Sequence, residues 1–177
     1  ILQALRDNGQ YDQTLIVISA DHGEMLGDRH LWGKMSCYDV AYHAPLIIRD
    51  PDHPSAFGQK VESPTESVDI APTILNWIGR DIPFSMDGLS LRGFLSGQSP
   101  AKWRTYSYSE LEFGDPVDPT EWQKSLGLRP EVTNLAILRG ARHTLVHFNG
   151  GLPPLLFDHD GQGEFENIAQ NADAAPI

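Results

Sequence analysis

The apolar positions of this chain fall into short, separated runs. TLIVISA, Thr14 to Ala20, is a β-branched run with little alternation, the pattern of a strand buried on both faces in a parallel sheet flanked by helices. Before it, ILQALRDNGQ puts Ile1, Leu2 and Leu5 on one helical face, with Gly9 as the stop. APLIIRDP, Ala44 to Pro51, predicts a second buried strand ended by Asp-Pro. SVDIAPTILNWIGRDIP predicts a helix with Ile70, Ile74, Leu75 and Ile78 turned inward, Pro72 tolerated in its first turn and Gly79 as C-cap. SLRGFLSG predicts one short helix.

After Gly97 the texture changes. TYSYSEL alternates and predicts a strand with one wet face. GDPVDPTEWQKSLGLRPEV is rich in Pro, Gly and Asp and reads as a long loop. NLAILRG, HTLVHFNG and PLLFDHD are three short strands between turn residues, the pattern of an antiparallel meander. EFENIAQNA predicts a short terminal helix. The fold class expected is α/β. Residues 1–100 would form the end of a mostly parallel, helix-flanked sheet, and residues 101–177 a small α+β subdomain with an antiparallel sheet. The chain opens without Met in an apolar helical pattern, as the carboxyl-terminal part of something longer would.

With 177 residues and 40% hydrophobic composition, the chain can bury a sizeable core. Its net charge of −11, with no basic cluster, argues against nucleic acid and against an anionic membrane surface. No apolar run approaches the length of a membrane span. Cys37 is the only cysteine, so no internal disulfide can form, which fits a reducing compartment. A cytoplasmic location is expected.

The chemistry concentrates just after the first strand. Asp21 and His22 stand at its carboxyl edge, the usual place for sites in open α/β sheets. A carboxylate beside an imidazole suits a divalent ion of the Zn, Mn or Fe type, and Gly23 would let the backbone turn so that both converge. Two ligands do not close a site, and the alternative is a strand-end Asp that caps a helix, with His22 incidental. Lys34 could hold an anionic oxygen of a substrate or transition state, or be a solvated surface lysine. His30 and His43 flank the region as substrate contacts or as ordinary polar residues, and Glu24 and Asp28 could cap or orient. GDRHLWGKM is not a phosphate loop, because five residues separate its glycines and Met35 stands where Ser or Thr belongs. Cys37 is most simply a small buried residue. Asp158 and Asp160 read as a tight turn rather than a calcium loop. His143 and His147 carry no assigned role, and Trp32, Trp77, Trp103 and Trp122 read as core or interface.

ISADHGEMLGDRHLWGKMSCYDVAYHAPLIIRDP, SVDIAPTIL followed by MDGLSL, and the closing PLLFDHDGQGEFENIA together resemble the sulfatase family of the alkaline phosphatase superfamily. The likeness is greatest to bacterial phosphonate monoester hydrolases and arylsulfatases. The resemblance implies the carboxyl-terminal portion of an alkaline-phosphatase-like fold, from a hydrolase of sulfate, phosphonate or phosphate esters. It gives Asp21 and His22 as ligands of one divalent metal (Mn, Ca, Zn or Mg), and Lys34 as the contact to the charged group. Where the family often shows His this chain has Arg29, and where it often shows Arg this chain has His43, so neither they nor His30 gain a firm role. The family nucleophile is a formylglycine made within Cys/Ser-x-Pro-x-Arg. No such motif occurs here, and Cys37 is followed by Tyr-Asp-Val. The segment alone is therefore expected to be inactive. A small anionic ester is the implied partner, a homo-oligomeric parent is compatible with the resemblance, and relatives in periplasm and lysosome leave those compartments open. The alternatives are a phosphodiesterase or mutase of the same superfamily, or a non-catalytic binding module.

Overall fold

The computed structural model describes residues 1–171. In chain order the elements are α1 (Leu2–Asp7), β1 (Ile16–Ser19), α2 (Asp39–Tyr42), β2 (Leu46–Arg49), α3 (Ile70–Trp77), α4 (Arg92–Leu95) and β3 (Tyr106–Glu112). Then follow α5 (Glu121–Leu126), β4 (Asn134–Gly140), β5 (His143–Phe148) and β6 (Leu155–Asp158). They form two compact units. One comprises Ile1–Asp21 with Ala44–Trp103, and the other His22–His43 with the chain from Arg104 on. The expected division near residue 100 is linear, whereas these units are interleaved, because Cys37, Tyr38 and Tyr42 pack on the core of the carboxyl-terminal sheet.

In the first unit, β1 and β2 pair antiparallel, with Ile18 opposite Ile47. A parallel arrangement was expected here, but an apolar run encodes burial and not strand direction. Nor is this ribbon covered on both faces within the unit, since Ile18 is 48% and Ile47 62% exposed. Helix α3 forms as predicted and is followed by Gly79 at φ +70°. Its inward face differs from the expected one. Pro72 and Thr73 are buried, while Ile74 and Ile78 are exposed. Polar bonding explains this. The buried Asp69 carboxylate accepts from Glu66 N (2.9 Å) and Leu89 N (2.7 Å). Thr73 Oγ1 donates to the Asp69 carbonyl (2.6 Å) and accepts from Leu91 N (2.8 Å). The stretch MDGLSL is thus sewn to the helix start, and Gly88 permits it, because a Cβ there would meet the Val68 carbonyl oxygen at 2.0 Å.

The second unit is built on the expected antiparallel meander, in the order β3-β4-β5-β6. Its core is Phe113, Leu135, Ile137, Val146 and Phe157. The supposed loop after β3 holds helix α5. Thr120 Oγ1 accepts from Gln123 N (3.2 Å) as N-cap, and Gly127 at φ +64° ends the helix. The expected helix EFENIAQNA is instead a series of turns over its described residues. The Asn167 side chain accepts from Leu156 N (3.0 Å), and Ile168 N donates to the Leu156 carbonyl (2.9 Å), so the segment borders β6.

Candidate active-site segment

Asp21 closes the first unit and His22 opens the second, on consecutive residues just past β1. His22 Nδ1 lies 2.6 Å from the Gly23 carbonyl oxygen. A carbonyl only accepts, so Nδ1 carries the hydrogen, which in the neutral ring is the Nδ1–H tautomer. That tautomer fits a metal ligand whose second nitrogen is anchored. Asp21 is exposed and His22 half-buried. Among the described residues no group of three or more His, Cys, Asp or Glu could hold a metal ion.

Gly23 does not serve the expected sharp turn, since its φ is not positive. Its amide donates to the Ala41 carbonyl (2.8 Å), and a Cβ on it would stand 2.0 Å from the Val40 carbonyl oxygen. Glycine is needed for close approach of two backbones.

From there the chain makes a closed excursion. Met25 N donates to Gly33 O and Gly27 N to Leu31 O, both at 2.9 Å. Glu24 Oε1 accepts from Gly33 N, the orienting role open to it from sequence. Met25 is buried and pins the base. Three residues other than glycine carry positive φ here: Leu26 (+47°), Arg29 (+50°) and His30 (+61°). Such conformations persist only where the surroundings impose them, and they gather at functional segments.

Lys34 follows directly after the Gly33 closure. It is exposed and makes no ion pair with the described residues. His30 is exposed on the same excursion. His43 Nδ1 lies 3.3 Å from Asp39 Oδ2, and Asp39 Oδ1 lies 3.2 Å from an Arg139 guanidinium nitrogen. Trp32 is not core within this chain, being 76% exposed. Cys37 is packed as expected, and burial pushes its thiol up to about 11. Asp158 and Asp160 form the expected tight turn, in which Asp158 Oδ1 accepts from Asp160 N (3.0 Å).

Spacing gave no sign of the surroundings of Arg29. Its guanidinium carbon sits 4.1 Å from the Tyr38 ring centroid and 4.2 Å from that of Phe165. Glu164 Oε2 is 3.8 Å away, while Glu164 Oε1 accepts from Asp39 N (2.8 Å). Burial raises the Glu164 carboxyl above its ordinary range, opposed by the Asp39 amide and by Arg29 and Arg139.

Comparison with known proteins places this segment. The sulfatase family model matches residues 1–80, which include Asp21, His22 and Lys34. Residues 1–80 are a segment of the sulfatase family. It is 40% identical over 166 residues to the multifunctional alkaline phosphatase superfamily protein PehA of Trinickia caryophylli, covering 93% of this chain and 32% of PehA. The phosphonate monoester hydrolase SpPMH of Silicibacter pomeroyi superposes with a TM-score of 0.93 at 56% identity, covering 99% of this chain and 34% of that one. The phosphonate monoester hydrolase of Agrobacterium radiobacter superposes with a TM-score of 0.90 at 41% identity, covering 98% and 34%. The chain thus spans about a third of the length of the relatives it matches. The fold is that of these sulfatase-type hydrolases.

Proposed function

We propose that the full-length protein carrying this segment is a metal-dependent hydrolase of phosphonate or sulfate esters. The observation that carries this reading is the sequence order Asp21-His22, then Lys34, on a fold that follows a phosphonate monoester hydrolase at 56% identity. In it Asp21 and His22 contribute two ligands to one divalent ion. Such an ion would act as a Lewis acid, offsetting charge on the reacting phosphoryl or sulfuryl group. Asp21 contributes an anionic oxygen. His22 contributes Nε2 in the tautomer that the Gly23 carbonyl selects. Lys34 places a compact positive charge against a non-bridging oxygen of the ester, where charge builds towards the transition state. His30, on the same excursion, is the second candidate contact. His43 is engaged with Asp39 and is read as support. No Cys or Ser of this chain lies in a Cys/Ser-x-Pro-x-Arg motif, so we assign it no nucleophile and expect no turnover from the isolated segment.

The test is to purify the full-length protein and assay a phosphonate monoester and an aryl sulfate before and after chelation. Hydrolysis lost on chelation and regained with a divalent ion supports the reading. Undiminished turnover after complete metal removal would refute it.

A further inference from the structure

The excursion that carries Lys34 is strained, and several of its hydrogen bonds close it on itself. Met25–Gly33 and Gly27–Leu31 close the loop, and Asp28 N donates to Met25 O (2.8 Å). Its base is held by Gly23 and the buried Met25. Arg29 is what the tip offers to the rest of the unit. The side chain is 16% exposed, and both rings lie within stacking range of the guanidinium. Among the described residues, the Asp28 and Glu164 carboxylates are at 3.8 Å, beyond hydrogen-bond range, and the buried Nε finds no hydrogen-bond partner. The hold is therefore stacking and charge. One jaw, Tyr38, also packs on the sheet core. The other, Phe165, belongs to the turns after β6. Glu164 doubles the link through the Asp39 amide at the start of α2. Arg29 thus ties the tip of the excursion to two places outside it, Tyr38 and the Glu164–Phe165 turn.

We propose that Arg29, clasped by Tyr38, Phe165 and Glu164, is the positioning residue that fixes the Lys34 loop for its anionic substrate. This rests on the role given to Lys34 above. A guanidinium suits this place better than an ammonium, because its flat, weakly hydrated face stacks on aromatic rings where a compact, strongly hydrated charge does not. Lys34 lies one residue beyond the Met25–Gly33 pair, so loosening the tip loosens the lysine backbone. The resulting effect on catalysis passes through Lys34 and vanishes when Lys34 is gone.

The variant of choice is Phe165→Ala in the full-length protein. Phe165 is 79% exposed in this chain, so truncation removes one jaw without opening the core. Two readouts are taken. Amide hydrogen exchange should speed at Gly27, Leu31 and Gly33 by about fivefold or more, the factor expected for losing one cation–π contact. Exchange at Ile137 and Val146 should stay as in the parent. In turnover, kcat/KM should fall in the otherwise native enzyme and remain unchanged when Phe165→Ala is added to Lys34→Ala. Arg29→Lys should mimic Phe165→Ala in both readouts. Unchanged exchange in the loop overturns the proposal, as does an equal catalytic loss with and without Lys34. Should the full-length protein hydrolyse no such ester, the function reading fails by itself, and exchange alone decides whether the clasp holds the loop.

Discussion

The amide of Gly23 donates to the carbonyl of Ala41 across 2.8 Å, so the residue after the Asp21-His22 pair is stitched to the end of α2. A methyl group at this position would stand 2.0 Å from the Val40 carbonyl oxygen. Gly23→Ala must push the two backbones apart. We expect it to destabilise the protein by about 1–3 kcal/mol, as overpacking does elsewhere. Chemical denaturation of the full-length protein measures this, and the same variant should lower metal content, because His22 moves with the Gly23 backbone.

Cys37 sits within the family-matched residues and could be mistaken for a nucleophile. Burial raises its thiol to about 11, and it packs against the sheet core. At pH 8 it is therefore protonated. The peptide containing Cys37 should remain unalkylated by iodoacetamide in the native protein and react fully after denaturation. Rapid native labelling would contradict this.

The Arg142 guanidinium grips Asp158 with two bonds, Nε to Oδ1 at 3.1 Å and Nη2 to Oδ2 at 2.8 Å. With these bonds leading, the Asp158 carboxyl is held down to about 2. A depressed carboxyl stabilises the fold above its ordinary titration range, near 4, and that contribution is lost as pH falls towards about 2. Arg142→Ala should bring Asp158 back towards the ordinary range in an NMR titration. It should also remove the part of the acid dependence that lies between those two values.

Thr120 caps α5 through Gln123 N and also donates its hydroxyl to the Phe113 carbonyl (2.9 Å). Thr120→Ala should cost about 1 kcal/mol in thermal or denaturant unfolding, with Thr120→Ser retaining most of it.

The elements that could be read along the chain are those whose signal is local. The alternation of TYSYSEL and the turn residues between the last three strands yield the meander because each strand pairs with its neighbour. Helix α5 was legible too, since Thr120 stands three residues before Gln123 and Gly127 follows, but the surrounding Pro and Asp suggested a loop. What was hidden depends on distant partners. Strand direction is not written in TLIVISA. Residue type alone puts Ile74 inside and Thr73 outside, and the bonds of Thr73 to Asp69 and to the distant Leu91 reverse that order. At the candidate site, spacing offered Asp21, His22 and Lys34 only as candidates, and the resemblance to the sulfatase family supplied their proposed roles. Spacing left Arg29 without a role, because Glu164 and Phe165 come to it from the far end of the chain.

The measurement that tests the central claim most directly is the divalent metal content of the purified full-length protein and of its His22→Ala variant, with kcat/KM for one phosphonate monoester on each. The account predicts a bound ion in the native protein. His22→Ala should weaken its retention and lower kcat/KM by more than about a hundredfold, beyond what loss of a supporting residue around a metal produces. Full metal content and unchanged turnover in His22→Ala would contradict it.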